Sequence, residues 1–486
     1  MAKEEKKKIR ILVHGDSPRV STGFARVNAG IFTNLVKTGK YTVDFFGVND
    51  LGFYDPFDEK YPYRILPAMI PGIQGDFYGR IRFINILRGV DLYLKPSWDI
   101  VFTLNDPFIF EEPVVTDNVG TMDAMIDLKT AYREKLPPKH WYKIVSYWPI
   151  DSAIKENWVE HAIGLSDYSV AYTEFGKEEI EKVNSKLKVP KKFNLEVIYH
   201  GTNVKDFYPL SDREVMEFKK DFFKKAKIDI ENTFIVGMVA RNQMRKDIPR
   251  AMKVFKEFQK RRPQTMLYIH AKAEDVGGSL GEYARWMNLD VGKDIMWPGS
   301  FSESTGYPIN YLNMIYNAMD VQILTTQGEG WGLPLTEAMA AKTLNIAPNI
   351  TSIPEMFNTK GFDLDNFDDL ETKEIRGIPC KAGSTTSEWA TFGAQDFERV
   401  RPLVNVDDMV KRLMWVYDNP DKITKIVNRG YEWVRKYTWD NIAKQWDNLF
   451  TRVYNELEEE RKNGPANKPT GNEVVGTKIT EGTNKK

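Results

Sequence analysis

The chain has one cysteine, Cys380, in 486 residues. No disulfide can close within it, which fits a reducing compartment. The five histidines, His14, His140, His161, His200 and His270, show no ligand spacing for zinc, so no structural or catalytic metal is expected. An excess of one charge is also missing. Lys and Arg number 68 and Asp and Glu number 68, which disfavours a dominant nonspecific grip on nucleic acid. Long apolar runs are absent as well. No stretch approaches the about 20 residues that span a membrane. The apolar run near the N-terminus, Ile11 to Val13, is too short for the core of a secretion signal. A cytoplasmic protein is expected. Lys6-Lys7-Lys8 and Lys485-Lys486 read as solvated ends.

What is present is the composition of a globular protein, 42% hydrophobic and 28% charged, on a chain long enough for two or three domains. Arg10 to His14 reads as a strand. Phe24, Val27, Ile31 and Leu35 then recur at helical spacing, and Tyr41 to Val48 reads as the next strand. This βαβ opening begins a doubly wound sheet. Further strands are read at Asp99 to Leu104, Lys143 to Ile150, Tyr168 to Thr173 and Leu195 to His200. After a charged connector helix, Asp212 to Lys227, a second alternation follows. Its strands are Phe234 to Ala240, Met266 to Ala271, Asp294 to Trp297, Val321 to Thr326 and Leu344 to Ala347, with a helix at Ile248 to Arg261. Gly361 to Pro402 breaks the pattern and reads as a long insertion. Helices resume near Val406, and the last is read from Trp439 to Arg461. The expected division is a charged tail 1–8, a first Rossmann-like domain 9–205, a second 206–437 with the insertion 361–402, a returning helix 438–462, and a disordered tail 463–486.

The most informative string is Gln327-Gly328-Glu329-Gly330-Trp331-Gly332-Leu333-Pro334-Leu335-Thr336-Glu337-Ala338-Met339-Ala340. It follows a buried strand, turns on glycines that allow close backbone approach, and enters a helix with Pro334 in the first turn. Free amides and the positive dipole end of a helix collect there and suit an anion. Glu329 and Glu337 flank the turn with seven residues between them, and carboxylates accept hydrogen bonds from hydroxyls. Amides for phosphate beside carboxylates for hydroxyls describe a nucleotide-sugar site. Arg241, Arg245, Lys246 and Arg250 crowd a second helix start, with Asp247 as its expected N-cap. Cations are disfavoured at that end of a helix, so the cluster asks for an anion such as a diphosphate.

The string resembles the signature of retaining GT-B glycosyltransferases of the family 4 type, E-G-F/W-G-L-P-x-x-E-A-M-A, which Glu329 to Pro334 and Glu337 to Ala340 match. The resemblance implies two Rossmann-like domains facing a cleft, with the last helix crossing back to the first. It implies transfer of a sugar from a nucleotide-diphosphate sugar (UDP-, GDP- or ADP-linked) to an acceptor hydroxyl with retention, without cofactor or metal. Arg241 and Lys246 are similar to the family's phosphate-binding pair, while Arg245 has no family role. Glu329 would hold sugar hydroxyls and Glu337 the ribose, with Gly23, Gly330, Trp331, Gly332 and Leu333 around the donor. The loop Gly15 to Phe24 is similar to the family's glycine-rich loop, though its tandem glycine is reduced to Thr22-Gly23. Asp16 and Thr22 would lie on the acceptor side. Asp151, in Trp148-Pro149-Ile150-Asp151, would stand near the reacting carbon. His200-Gly201-Thr202-Asn203 reads as a hinge turn. Trp389 and Phe392, among small polar residues, suit stacking on an acceptor.

The acceptor stays open among saccharide, lipid, protein and modified DNA base. Asp16 to Phe24 loosely resembles phage-encoded glycosyltransferases, which adds a DNA base or host surface, although the zero net charge disfavours DNA. The alternatives are a sugar phosphorylase or epimerase on the same architecture and a non-catalytic nucleotide-sugar-binding module. Two local motifs carry less. Gly277-Gly278-Ser279-Leu280-Gly281 lacks a histidine partner, and Asp363-Leu364-Asp365 reads as a solvated acidic pair.

Overall fold

The computed structural model describes residues 7–50, 52, 59–69, 76–90, 97–111, 113–114, 119–299, 306–365, 370–391 and 396–464. Phe392, residues 1–6 of the first tail and 465–486 of the last lie outside them.

Two parallel sheets organise the chain. The first has seven strands: β1 (Ile9–Asp16), β2 (Tyr41–Val48), β3 (Arg64–Pro67), β4 (Ile100–Leu104), β5 (Lys143–Trp148), β6 (Tyr168–Ala171) and β7 (Asn194–Val197). Their order is β3-β2-β1-β4-β5-β6-β7, so the direction of winding reverses between β1 and β4. The second has β8 (Phe234–Val239), β9 (Thr265–His270), β10 (Ile295–Met296), β11 (Val321–Ile323), β12 (Leu344–Pro348) and β13 (Ile378–Cys380). Its order is β10-β9-β8-β11-β12-β13, with the reversal between β8 and β11. In such sheets a crevice opens outside the carboxyl ends of the strands that flank the reversal.

The central strands are apolar runs because helices cover both faces. All of β4 and β5 is buried. Helix α1 (Gly23–Lys37) starts where Thr22 Oγ1 accepts from the Ala25 amide, and it buries Val27, Ile31, Phe32 and Leu35. Helix α2 (Ile248–Gln259) and helix α3 (Leu333–Ala340) follow β8 and β11. Helix α4 (Trp439–Asn463) comes after the second sheet but packs on the first. Its Trp446 ring meets Phe102 of β4 at 5.4 Å and Tyr147 of β5 at 4.9 Å, both edge-on.

Several boundaries differ from the sequence reading. The connector helix ends at Phe222 instead of Lys227, and the strand read to His200 ends at Val197. Asp247 precedes α2 in a left-handed conformation (φ 47°) and gives no side-chain cap. Its carboxylate instead accepts from Arg250 Nε at 2.7 Å. Residues 361–402 are not wholly an insertion. Ile378–Cys380 is the outer strand of the second sheet, paired with β12 and fully buried. Leu370 and Ile375 are buried as well. A three-residue strand with a central proline has no periodicity to betray it; its pairing comes from β12.

Candidate functional site

The crevices of the two sheets face each other. From the second domain come the loop after β8 and the loop between β11 and α3. Lys246 and Glu329 are buried and joined, Nζ to Oε1, at 2.5 Å. Burial raises the Glu329 carboxyl, but Lys246 and Arg245 outweigh it and hold it below its ordinary range. Burial and neighbouring Arg245 push Lys246 down to about 8, against the pull of Glu329. Arg245 donates to the Gly328 carbonyl at 2.7 Å and stands 3.7 Å from Glu329. Gly328 (φ 154°) has no room for a side chain, since a Cβ would lie 2.0 Å from the Asp151 carbonyl oxygen of the first domain. Gly332 takes a left-handed turn (φ 97°) into α3.

Arg241 is placed differently. Its guanidinium is largely exposed and pairs with Asp275 at 2.9 Å, and its charge also acts on Asp16 of the first domain. Glu337 is buried on α3 and accepts from Tyr316 Oη at 2.8 Å and from Arg26 of α1. Burial raises its carboxyl, against the opposing effects of Arg26 and Tyr316. Leu333 reaches back to the first domain, where a Cβ on Gly23 would meet its Cδ1 at 3.7 Å. The Trp331 side chain points away from the carboxylates into the domain junction. It packs at 5.2 Å from Tyr199 and 5.6 Å from His200. Gly330 lies against Pro149 and Tyr172.

From the first domain, three strands lead to aspartates at their carboxyl ends. Asp16 ends β1, Asp106 follows β4, and Asp151 follows β5. Asp16 accepts from Thr22 Oγ1 at 2.5 Å and Asn49 Nδ2 at 3.0 Å. Burial raises its carboxyl, and those bonds oppose the rise. Asp151 meets Arg245 at 3.5 Å, Arg399 at 3.1 Å and Arg401 at 3.2 Å. Burial alone would raise it, but Arg401, Arg245 and Arg399 bring it down to about 2. Asp106 lies deep in the cleft but keeps some solvent access. Burial and the charge of Asp151 raise it to about 7, against Arg399 and Arg245.

Residue reading therefore missed Arg26, Asp106, Arg399 and Arg401, and placed Arg245 in the cationic cluster without a family role. Asp106 carried a signal similar to that of Asp151, an acid a short way beyond the end of a buried strand. The arginines carried none, because their partners lie far away in sequence. Trp389 is half-exposed and its indole donates to the carbonyl of Gly383, six residues earlier, at 3.1 Å. What the same stretch presents to Asp151, further along, is Arg399 and Arg401.

Among the described residues, no group of three or more His, Cys, Asp or Glu could hold a metal ion, and no helix is long and apolar enough to cross a membrane. Asp365 is spent on a surface pair with Lys381.

Residues 219–363 match the family model for glycosyl transferases group 1, a span holding both Arg241–Lys246 and Glu329–Glu337. No curated protein matches the chain in sequence. Among solved structures, a sucrose-phosphate synthase from Thermosynechococcus elongatus is similar at 15% identity with a TM-score of 0.63, covering 93% of this chain and 100% of that one. An α,α-trehalose 6-phosphate synthase from Burkholderia multivorans is similar at 11% identity and TM-score 0.61, covering 93% and 98%. A glycosyltransferase from Rickettsia africae is similar at 14% identity and TM-score 0.60, covering 92% and 99%. What these likenesses carry is the fold.

Proposed function

We propose that this chain, a GT-B protein with a glycosyl transferases group 1 segment in its second domain, is a retaining glycosyltransferase that moves a sugar from a nucleotide-diphosphate sugar to an acceptor hydroxyl. The observation that carries the reading is the placement of Lys246, Arg245 and Glu329 together at the reversal point of the second sheet, beside the glycine turn into α3. Fixed cations and helix amides suit a diphosphate leaving group as it gains charge. Glu329 then accepts from the sugar hydroxyls, and Glu337, held by Tyr316, accepts from the ribose. Arg241 closes on the distal phosphate. The acceptor enters from the side of Asp16, Asp106 and Asp151. Its oxygen bonds to the anomeric carbon on the face the diphosphate leaves. The departing phosphate oxygen takes the acceptor proton, so no enzymic nucleophile is required.

The fixed cations do the electrostatic work that a metal does elsewhere, so turnover is expected to persist in EDTA. The test is a panel of UDP-, GDP- and ADP-sugars screened by thermal shift, since a donor that binds the native state raises its apparent stability. Free nucleotide and the anomeric configuration of the product are then measured with and without EDTA. An inverted product, or activity lost in EDTA and restored by manganese, would reject the corresponding part of the reading. Binding without turnover over a broad acceptor panel would favour the non-catalytic module.

A further inference from the structure

The hairpin of β14 (Trp389–Thr391) and β15 (Val400–Pro402) belongs to the second domain, yet its second arm grips the first. Arg401 is fully buried. Its Nε reaches Asp396 at 2.6 Å, its Nη2 reaches Asp151 Oδ1 at 3.2 Å, and its Nη1 donates to the Asp151 carbonyl at 3.4 Å. Arg399 adds a second bond to Asp151 Oδ1 at 3.1 Å and lies over the Trp158 ring at 5.4 Å. Between them and Asp396, the Phe397 ring inserts 4.2 Å from Phe108 and 5.7 Å from Trp158, both in the first domain. Phe397 and the next residue, Glu398, are both left-handed, at φ 56° and 55°. Two successive non-glycine residues hold that conformation only where their surroundings over-determine it. Here the surroundings are the aromatic pair and the carboxylate across the cleft.

The grip falls beside the proposed chemistry. Gly328 packs on the Asp151 carbonyl and on Arg401 Nη1, so Arg401 touches both the glycine turn and the first-domain loop opposite it. Phe108 is two residues beyond Asp106. We infer that residues 396–401 are a strap closing the acceptor side of the cleft, and that Arg399 and Arg401 are positioning residues that fix Asp151 against Gly328. This rests on the glycosyl-transfer reading. Its consequence is that the strap governs how an acceptor meets the sugar, while the donor is held by the opposite side of the same loop.

The test uses the full chain with Phe397→Ala, Arg399→Ala and Arg401→Met. In the absence of any substrate, amide exchange at residues 150–153 and 327–331 is expected to quicken at least tenfold in each variant, while β5 and β8 stay protected. With the best donor among UDP-glucose, GDP-mannose and ADP-glucose, kcat for transfer is expected to fall at least tenfold. The donor KM should change less than threefold, and slow donor hydrolysis should persist. Unchanged exchange at both segments would overturn the strap. Faster exchange with unchanged kcat would overturn the positioning role. Should Arg401→Met fail to fold, Phe397→Ala and Arg399→Ala decide the matter alone. Should the wild type use none of these donors, glycosyl transfer fails as a reading for them, while the exchange rates still decide whether the strap exists.

Discussion

Lys246 and Glu329 neutralise each other where little water reaches, and Arg245 is a second, more distant cation for the same carboxylate. Removing one member of a buried pair leaves the other uncompensated, which costs about 3–5 kcal/mol. Lys246→Met is expected to fall at the lower end of that range, because Arg245 remains. Glu329→Gln added to it should recover part of the loss. Urea unfolding of the two single variants and the double one checks this; strict additivity would show that the pair is not coupled. Asp106 poses the opposite case, a carboxyl that burial and Asp151 raise to about 7 from an ordinary 3.8. The folded state then binds the proton more tightly than the unfolded chain. The resulting contribution to stability is full below about pH 4 and is lost as pH rises through about 7. Asp106→Asn, which cannot ionise, should therefore melt higher than wild type at pH 8 and converge with it near pH 4. A gap that does not vary with pH would show that Asp106 is not strained by ionisation.

At the scale of elements, α4 follows the second sheet in the chain and packs on the first. Its Trp446 is fully buried against Phe102 and Tyr147. Trp446→Ala should cost about 3–5 kcal/mol through lost burial and a residual cavity, with exchange in β4 and β5 rising before exchange in β8. Equal loosening of both sheets would show that the helix does not belong to the first. The last helix was legible in the sequence, read from Trp439 to Arg461 and observed to Asn463, as was β2, whose span Tyr41–Val48 is the one read. Strands of this length carry their own signal. Arg64–Pro67 and Ile378–Cys380 did not, because their conformation is imposed by the neighbours they pair with, β2 and β12. The same division runs through the site. Glu329, Glu337 and Lys246 lie in short local motifs and could be read. The pairs Arg26–Glu337, Arg401–Asp151 and Arg399–Asp151 join residues hundreds of positions apart, and the pairing of Arg241 with Asp275 was not read either. Only the folded chain decides which cation meets which carboxylate.

At the scale of the molecule, the chain passes between the sheets after β7 and returns before α4. The two crossings touch, with the Thr202 amide donating to the Tyr437 carbonyl at 2.8 Å and Thr202 bridging to Thr438. His200 sits at this junction. Its ring lies 4.1 Å from Tyr172 of the first domain, 5.6 Å from Trp331 of the second and 6.1 Å from Trp439 of α4. Neither ring nitrogen has a hydrogen-bond partner among the described residues. Burial pushes the imidazole down to about 3 from an ordinary 6.5. The sign follows directly: the folded state holds His200 neutral, so its contribution is full above about pH 6.5 and is lost as pH falls from there towards 3. At pH 4 the lost contribution amounts to about 3 kcal/mol. Because the ring touches both domains and the returning helix, its protonation acts on the whole assembly and not on one sheet. His14 and His270, each lowered by burial to about 4, add to the same acid sensitivity within their own sheets. Asp106 works against them, since it regains its proton over part of that range. Comparing His200→Phe with wild type at each pH cancels these other groups. The variant is expected to lose less Tm than wild type between pH 6.5 and pH 4, and to keep a single unfolding transition at pH 4 if the junction unfolds with both domains. Parallel Tm curves over that window would show that the junction stays intact whether or not His200 is charged, and would move the acid sensitivity to His14 and His270.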